Sequence, residues 1–496
     1  MKWLLRCTAL IIFSSAIAAS AQTSDWAKIV NGKLTYKTFG NGNHIMDFSS
    51  AGYMGGGVAL PTVPAKITLN PSGGDDSSAI QVAINKISAM PLSNGFRGAL
   101  VLGKGTFHVS STLNVAASGV VVRGSGSGTG GTVVSTTVAH VFNVAGTGTY
   151  QTFNTTALSG SYIPSGAQSI TVASTAGFLV GDNVVITRTV TAAWIHFMGM
   201  DKLVRNGQPQ TWLSPGSQTL TDRTITAISG NMITLDGPIT DSFDAKFLGT
   251  PVGTISKYDF PGRISQAGIE HLKIQAPVGT EVFNAITMSA VMDGWISDVV
   301  GQETQNAFSV NRNCRRITLD HVINNNTTRQ TNAAAATAFD ITGTQVLLNK
   351  CAANSSGMWP IATSALGAGP IVVLNFTSTE NHPIEPHQRW TTGLLTDNAK
   401  LPNSGVDYIN RRTDGSGHGW CMGWGVAWND TAPRFTISAA PGTTDWCIGC
   451  VGAKVSNPPD PDGTFDSLNT HVVPASLYLE QLKERLGQQA LTNIGY

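Results

Sequence analysis

From about Ile269 onward the chain returns repeatedly to one short pattern. GIEHLKI, GWISDVV, RRITLDHVINNN, TQVLLNKCAANS, PIVVLNFTSTEN and TTGLLTDN each carry a β-branched run that ends in Asn, Asp or Gly. The matching positions Ile269, Ile296, Ile317, Val346, Val372 and Leu394 lie roughly 21 to 29 residues apart, a period that marks stacked structural repeats. Within each run apolar and polar residues alternate, so one set of side chains faces in and the other out. No long helical pattern separates the runs, which argues against βαβ units. Stacked in register as parallel strands, they would bury one continuous narrow core. The expected fold is all-β, a parallel β-helix.

The flanking sequence divides around that repeat. GDDSSAIQVAINKISAM, residues 74–90, is the clearest helix signal: Asp76 or Ser77 can cap it, and Ile80, Ala83, Ile84 and Ile87 share one face. Such a helix can cover the open end of the stack. GALVLGKGTFHVSSTLNV and SGVVVRGSGSG then read as first coils, so 22–154 is assigned to cap and opening coils. Residues 155–244 break the rhythm with hairpin-like strands and read as a small β subdomain hanging off the solenoid. Its segment 194–212, WIHFMGMDKLVRNGQPQTW, has the aromatic and basic content of a lid or of a small core plug. Residues 245–465 hold the main coils. In 466–496, PASLYLEQLKERLG places Leu479, Leu482 and Leu486 in helical register before Gly487, a second cap. Residues 1–21 read as a signal peptide cleaved after about Ala21: Lys2 and Arg6, an apolar run over 8–18, then Ala19-Ser20-Ala21. A secreted protein, extracellular or periplasmic, is expected.

Charge is scarce. Only 12% of the 496 residues are charged and the net charge is +1, against about 25% charged in average domains. That gives no electrostatic footprint for nucleic acid or for an anionic membrane, and a monomer is expected. Cys314, Cys351, Cys421, Cys447 and Cys450 follow the signal, an odd number that cannot pair completely. WCIGC, residues 446–450, lacks the second CxxC or βαβ setting of a zinc or redox motif. A local disulfide or two inert buried thiols is expected there.

GDDSSAIQVAI, followed by GALVLGKGTFHVSSTLNV and VVVRGSGSG, resembles the opening of the pectate-lyase-like superfamily of secreted right-handed parallel β-helices. The shared pattern is an acidic pair, an AIQ-type helix, then a strand whose glycine turn precedes an aromatic, here Gly105 and Phe107. EPHQRW and GSGHGW look like a pair of motifs found in uncharacterised secreted members of that superfamily. The resemblance implies a right-handed coil and action on a polysaccharide, by elimination or by hydrolysis, since the fold hosts both as well as non-catalytic proteins. Neither the calcium-binding acidic trio of pectate lyases nor the NTD…DD set of the hydrolases is found. The sequence requires no cofactor, and no ligand spacing supports calcium or another metal.

The candidate chemistry gathers in ENHPIEPHQRWTTGLLTDN, residues 380–398. Glu385, His387 and Arg389 are spaced i, i+2, i+4 and would share one side of an extended strand. Pro386 places them at a strand end or bulge. Within about one coil follows NRRTDGSGHGW, with Arg411, Arg412, Asp414 and His418 among glycines. Neighbouring coils stack at about 4.8 Å, so the two clusters could line one groove, joined by His382. Trp390, Trp420, Trp424, Trp428 and Trp446 crowd the same region and, if exposed, would offer flat faces to sugar rings; as core they would plug a coarse coil. His108, His271 and His321 sit in strand-like runs and read as structural.

Arginine beside histidine suits β-elimination from a uronate-containing polysaccharide. Arg389 with Arg411 or Arg412 would hold the substrate carboxylate, His387 or His418 would act as base, and Glu385 would orient a histidine or an arginine. Hydrolysis by two carboxylates, Glu385 with Asp397 or Asp414, is the competing expectation. A non-catalytic carbohydrate-binding solenoid is the third.

Overall fold

The computed structural model describes residues 22–279, 282–327, 336–355 and 357–496; the expected signal peptide, residues 1–21, lies outside them. The repeating runs form the first face of a solenoid. Strands Gly268–Gln275, Val291–Gln302, Arg315–Asp320, Thr344–Asn349, Ala368–Leu374, Thr391–Asp397, Val426–Trp428, Trp446–Ile448 and Thr464–Asp466 stack in parallel, each on the next. A second face runs through Ile323–Asn326, Ala352–Ser355 and Thr377–Ser378. A third runs from Leu113–Val115 through Phe142–Ala145, Ile286–Ser289, Phe308–Val310 and Thr337–Ile341 to Trp359–Ala362. The three faces enclose one continuous apolar core. The molecule is a right-handed parallel β-helix, the hand that parallel crossovers take almost without exception.

Each passage from first to second face turns on one residue. His271, Asp298, His321, Lys350, Asn375, Asn398 and Asn429 occupy this corner, all in the left-handed region with φ between 49° and 60°. Asn, Asp and His tolerate that conformation best among non-glycine residues, and they fill every one of these corners but that of Lys350. His271 and His321 are therefore corner residues, in keeping with the structural role read for them.

The register differs from the sequence alignment at Ile317 and at Val372, the latter pairing with Leu395 rather than Leu394. Ile296 pairs with Leu319, not Ile317, and Val346 pairs with Ile371, not Val372. The first slip is two residues and keeps the face; the second is one residue and puts Val372 outside. Alternation fails as a guide because these strands are buried on both sides. Leu347, Val372, Leu374, Leu395, Val426, Trp428 and Ile448 point outward and are covered by Ile45, Met46, Phe48 and the helix Leu477–Leu486.

That helix thus lies along the side of the coil rather than across its end, a correction to the capping role expected from 466–496. Phe48 N–H bonds Gln481 Oε1 at 2.9 Å, and the Tyr478 hydroxyl bonds Ala51 O at 2.9 Å. Corner side chains hold the last segment: Asn429 Nδ2 donates to Val472 O (2.8 Å), Asn398 Nδ2 to Ala475 O (2.8 Å) and Asn375 Nδ2 to Tyr496 Oη (2.7 Å). The helix Ser77–Ser88 does close the opening coil, burying Ile80, Ala83, Ile84 and Ile87 against its core.

The inserted subdomain is a six-stranded antiparallel sheet wider than 155–244. Its first and last strands, Gln151–Ala157 and Thr254–Asp259, pair with each other at the base. It does not hang free. Arg315, fully buried, reaches across to Asp222 at 2.8 Å and to Asp236, and Arg263 meets Asp222 at 2.8 Å. Arg223 donates to Thr344 Oγ1 (2.9 Å) and Gly369 O (2.8 Å) of the coils. The five cysteines among the described residues are buried free thiols, the second of the two outcomes expected for Cys447 and Cys450.

Candidate active site

The backbone of 384–387 extends the third face by one rung. Ile384 bridges Val406, Glu385 N–H reaches Ile361 O at 3.4 Å and His387 N–H reaches Thr363 O at 2.9 Å. Pro386, with no N–H to give, fits between these bonds. Glu385 and His387 alternate onto the same side. Arg389 does not continue the strand: with φ 56° it turns the chain, and Trp390 follows at φ 70°. Its guanidinium instead bonds Ser416 O (3.1 Å) and Oγ (2.7 Å), while its N–H bonds His418 O at 3.0 Å.

The second cluster is a loop closed by the bridge between Asn410 and Trp420. Asp414 O accepts from Gly417 N–H (3.0 Å) and His418 N–H (3.1 Å), which turns the imidazole inward. Gly415, at φ 56°, leaves the space for it; a Cβ there would lie 2.1 Å from His418 Nε2. Arg205 and Gln210 of the segment 194–212 both donate to Gly415 O, at 2.7 and 3.1 Å. Trp194 and Trp212 of the same segment pack on Trp390, at 5.6 and 6.2 Å between ring centres. The segment braces the loop from behind.

The two clusters meet. Arg411 Nη1 stands 2.8 Å from Glu385 Oε1 and donates to His387 O at 3.1 Å. The contact with Glu385 is a close approach rather than an aligned hydrogen bond, since Oε1 has no hydrogen-bond donor among the described residues. The His387 and His418 rings meet edge to face at 4.8 Å. Arg411 Cζ also lies 5.6 Å from the centre of the Trp359 ring, and Trp359 stacks on His382 at 4.3 Å. A continuous strip thus runs from His382 through Trp359, Arg411 and Glu385 to the histidine pair.

Burial governs protonation in this strip. It pushes the Glu385 carboxyl up to about 8, against the pull of Arg411, with Asp407 and Asp414 pushing the same way. Burial also lowers His418 to about 4, helped by Arg411, His387 and Arg389. His387 is lowered by burial, then by Arg411 and Arg389, and His382 by burial. Near neutrality the site holds a protonated carboxyl beside neutral imidazoles.

Other sequence candidates lie elsewhere. Trp390 and Trp420 are 1% and 3% exposed, their indole N–H groups tied to Asp241 (2.8 Å) and Met198 O (3.0 Å) under the insertion. They are core plugs, and so are Trp424, Trp428 and Trp446 on the side face. Asp397 is fully buried and accepts from Ser476 Oγ (2.7 Å) and Tyr478 N–H (2.9 Å) at the start of the side helix, outside the groove. Arg412, at φ 48°, turns away to Asp460 at 2.7 Å. Asp414 stays at the rim, 3.5 Å from Arg411. Trp359 was missed because no charged residue neighbours it in sequence. Among the described residues no group of three or more His, Cys, Asp or Glu side chains is arranged to hold a metal, and no helix is long and apolar enough to cross a membrane.

No protein-family model matches the chain, and no curated protein matches it significantly. Solved structures do. The gp54 tailspike of Acinetobacter baumannii bacteriophage AP22, determined in complex with A. baumannii capsular saccharide, is 14% identical with a TM-score of 0.40, covering 79% of this chain and 63% of its own. The Pseudomonas phage phi297 tailspike gp61 is 12% identical with a TM-score of 0.36, covering 79% and 65%. The A-module of the Azotobacter vinelandii mannuronan C-5 epimerase AlgE6 is 11% identical with a TM-score of 0.28, covering 86% and 100%. These are likenesses of fold. The chain spans less than two thirds of the length of either tailspike.

Proposed function

We propose that the protein cleaves a uronate-containing polysaccharide by β-elimination. The observation that carries this reading is the pairing of Glu385, held protonated up to about 8, with His387, held neutral by the same burial two residues along. Environments that push two groups' protonation apart assign an acid and a base. Arg411 and Arg389 face the substrate carboxylate and draw off its charge, which acidifies the neighbouring ring proton. His387 takes that proton, and the electron pair left behind forms the C4–C5 double bond. The C4–O glycosidic bond breaks, and Glu385 gives its proton to the departing oxygen. His418, against the edge of His387, positions that ring. The test is a screen of the purified protein against uronate-containing and neutral polysaccharides, with ultraviolet absorbance and reducing ends read together. Both should rise on a uronate polymer, and His387→Ala should cut the rate by about 10²–10⁴-fold; an unchanged rate removes His387 from the mechanism.

One observation favours hydrolysis as the second reading. Asp340 pairs with Ala362 across one rung, and the hydrogen bonds of 385–387 and of Asp407 N–H to Ile384 O (3.0 Å) continue the stack. Asp340, Ala362, Glu385 and Asp407 therefore form one outward column. Asp340 and Glu385 stand two rungs apart, about 9.6 Å along the backbone, near the upper limit of about 9.5 Å for inverting carboxylates. Burial pushes Asp340 up to about 6, and its Oδ1 has no hydrogen-bond partner among the described residues. Reducing ends without absorbance, lost in both Asp340→Asn and Glu385→Gln, would select this mechanism.

A further inference from the structure

A cavity of ≈ 220 Å³ lies where the inserted subdomain meets the last coils, apart from the strip described above and sharing only Trp390 with the sequence candidates. Its floor is Arg188. This residue is 1% exposed, and its Nε and Nη1 have no acceptor among the described residues. Asp241 stands 3.6 Å from Nε, too far for a hydrogen bond. The Asp241 oxygens are already committed to Trp390 Nε1 (2.8 Å), Trp424 Nε1 (3.3 Å) and Ser242 N–H (2.8 Å). A guanidinium buried with unused donors is costly unless an acceptor reaches it. Trp194 closes the cavity on one side, 4.2 Å from Arg188 Cζ, and the stacked rings of Phe197 and Phe247 are half-buried at its wall.

The chemistry of the occupant follows from this lining. Two carboxylates, Asp241 and Asp244, line the cavity with Arg188, so an anion entering it gains from one charge and is repelled by two. A hydroxyl meets no such conflict, because it can accept from Arg188 and donate to a carboxylate. The aromatic wall suits the flat C–H face of a sugar ring. Phe197 and residues 441–443 also line a larger cavity of ≈ 780 Å³ that reaches Arg412, so a chain longer than one sugar has somewhere to lie. We propose that this cavity is a second carbohydrate site that takes a neutral sugar unit by its hydroxyls, with Arg188 as the donor and Phe197 as the stacking face.

The experiment is saturation-transfer NMR and calorimetric titration of the whole protein with D-glucose, D-galactose, D-mannose, L-rhamnose and D-glucuronate. At least one neutral sugar should bind saturably, and any glucuronate binding should be insensitive to Phe197→Ala because it belongs to the proposed elimination groove. Phe197→Ala and Arg188→Met should each weaken that binding at least tenfold; the first removes a half-buried ring, so it remains informative if the second fails to fold. His387→Ala should leave the binding unchanged, which separates this site from the proposed elimination groove. The inference is overturned if no neutral sugar binds, if Phe197→Ala binds the neutral sugar as the unaltered protein does, or if His387→Ala abolishes that binding.

Discussion

At the residue scale, the site depends on a few side chains whose surroundings set their charge. With Glu385 as acid and His387 as base, activity should fall on the alkaline side near pH 8 and persist on the acid side below the ordinary histidine value of about 6.5. Arg411 lowers both groups, so Arg411→Met should move both limbs of the pH–rate profile to higher pH while reducing the rate; limbs that stay in place would detach Arg411 from them. Buried acids elsewhere set stability. Burial pushes Asp397 to about 7 and Asp430 to about 8. Each keeps its proton in the fold above the ordinary value of about 3.9 and releases it on unfolding. Their contribution is therefore full below about pH 4 and is lost as pH rises towards 8. Thermal melts should show stability declining over that interval, and Asp430→Asn should flatten the decline; an equally steep decline in the variant would place its origin elsewhere. The sequence showed which residue types cluster, because Glu385, His387, Arg389, Arg411 and His418 stand out in a charge-poor chain. It did not show burial, which decides that five tryptophans are core and that Trp359 is the ring lining the strip.

At the element scale, the corner and the insertion carry the argument. A corner residue must hold a positive φ, so His321→Gly should be tolerated, whereas His321→Val should cost about 1–2 kcal/mol in a urea titration; equal midpoints would show that the corner is unstrained. The runs were legible because Asn or Asp stands at or directly before each of these corners except that of His271. Their register was not, because outward positions such as Leu347 and Leu395 are as apolar as inward ones. The extent of the insertion was misjudged for a related reason: Gln151–Ala157 finds its partner about a hundred residues later, at the close of the subdomain. The buried charges that join the two parts predict strong coupling. Asp222→Asn leaves Arg315 and Arg263 short of a counter-charge and should cost about 3–5 kcal/mol, melting the insertion and neighbouring coils together. A loss below about 1 kcal/mol would mean that the network relaxes at no expense.

At the scale of the whole molecule, a solenoid whose coils touch only their neighbours should unfold piecemeal. This one has a side cover that spans many coils, made from residues 45–51 and the helix Leu477–Leu486. Removing residues 476–496 should expose Leu347, Val372 and Leu395, raise binding of a hydrophobic dye and split a single urea transition into at least two. One sharp transition in the truncated chain would show that the coils cooperate unaided. The β-helix itself was readable from period and patterning; the cover was not, because nothing in a local pattern says that a helix near the end of a chain will lie beside its middle. That cover also acts as a ruler. Its contacts from Ala51 to Tyr478 and from Asn375, Asn398 and Asn429 to the last segment have a fixed reach. A coil inserted or deleted beneath it would shift every later corner by one step and leave the clasp unmatched. Growth by duplication, the ordinary freedom of a repeat architecture, is closed to this stretch of the chain, and variation in length is confined to the loops and to the inserted subdomain.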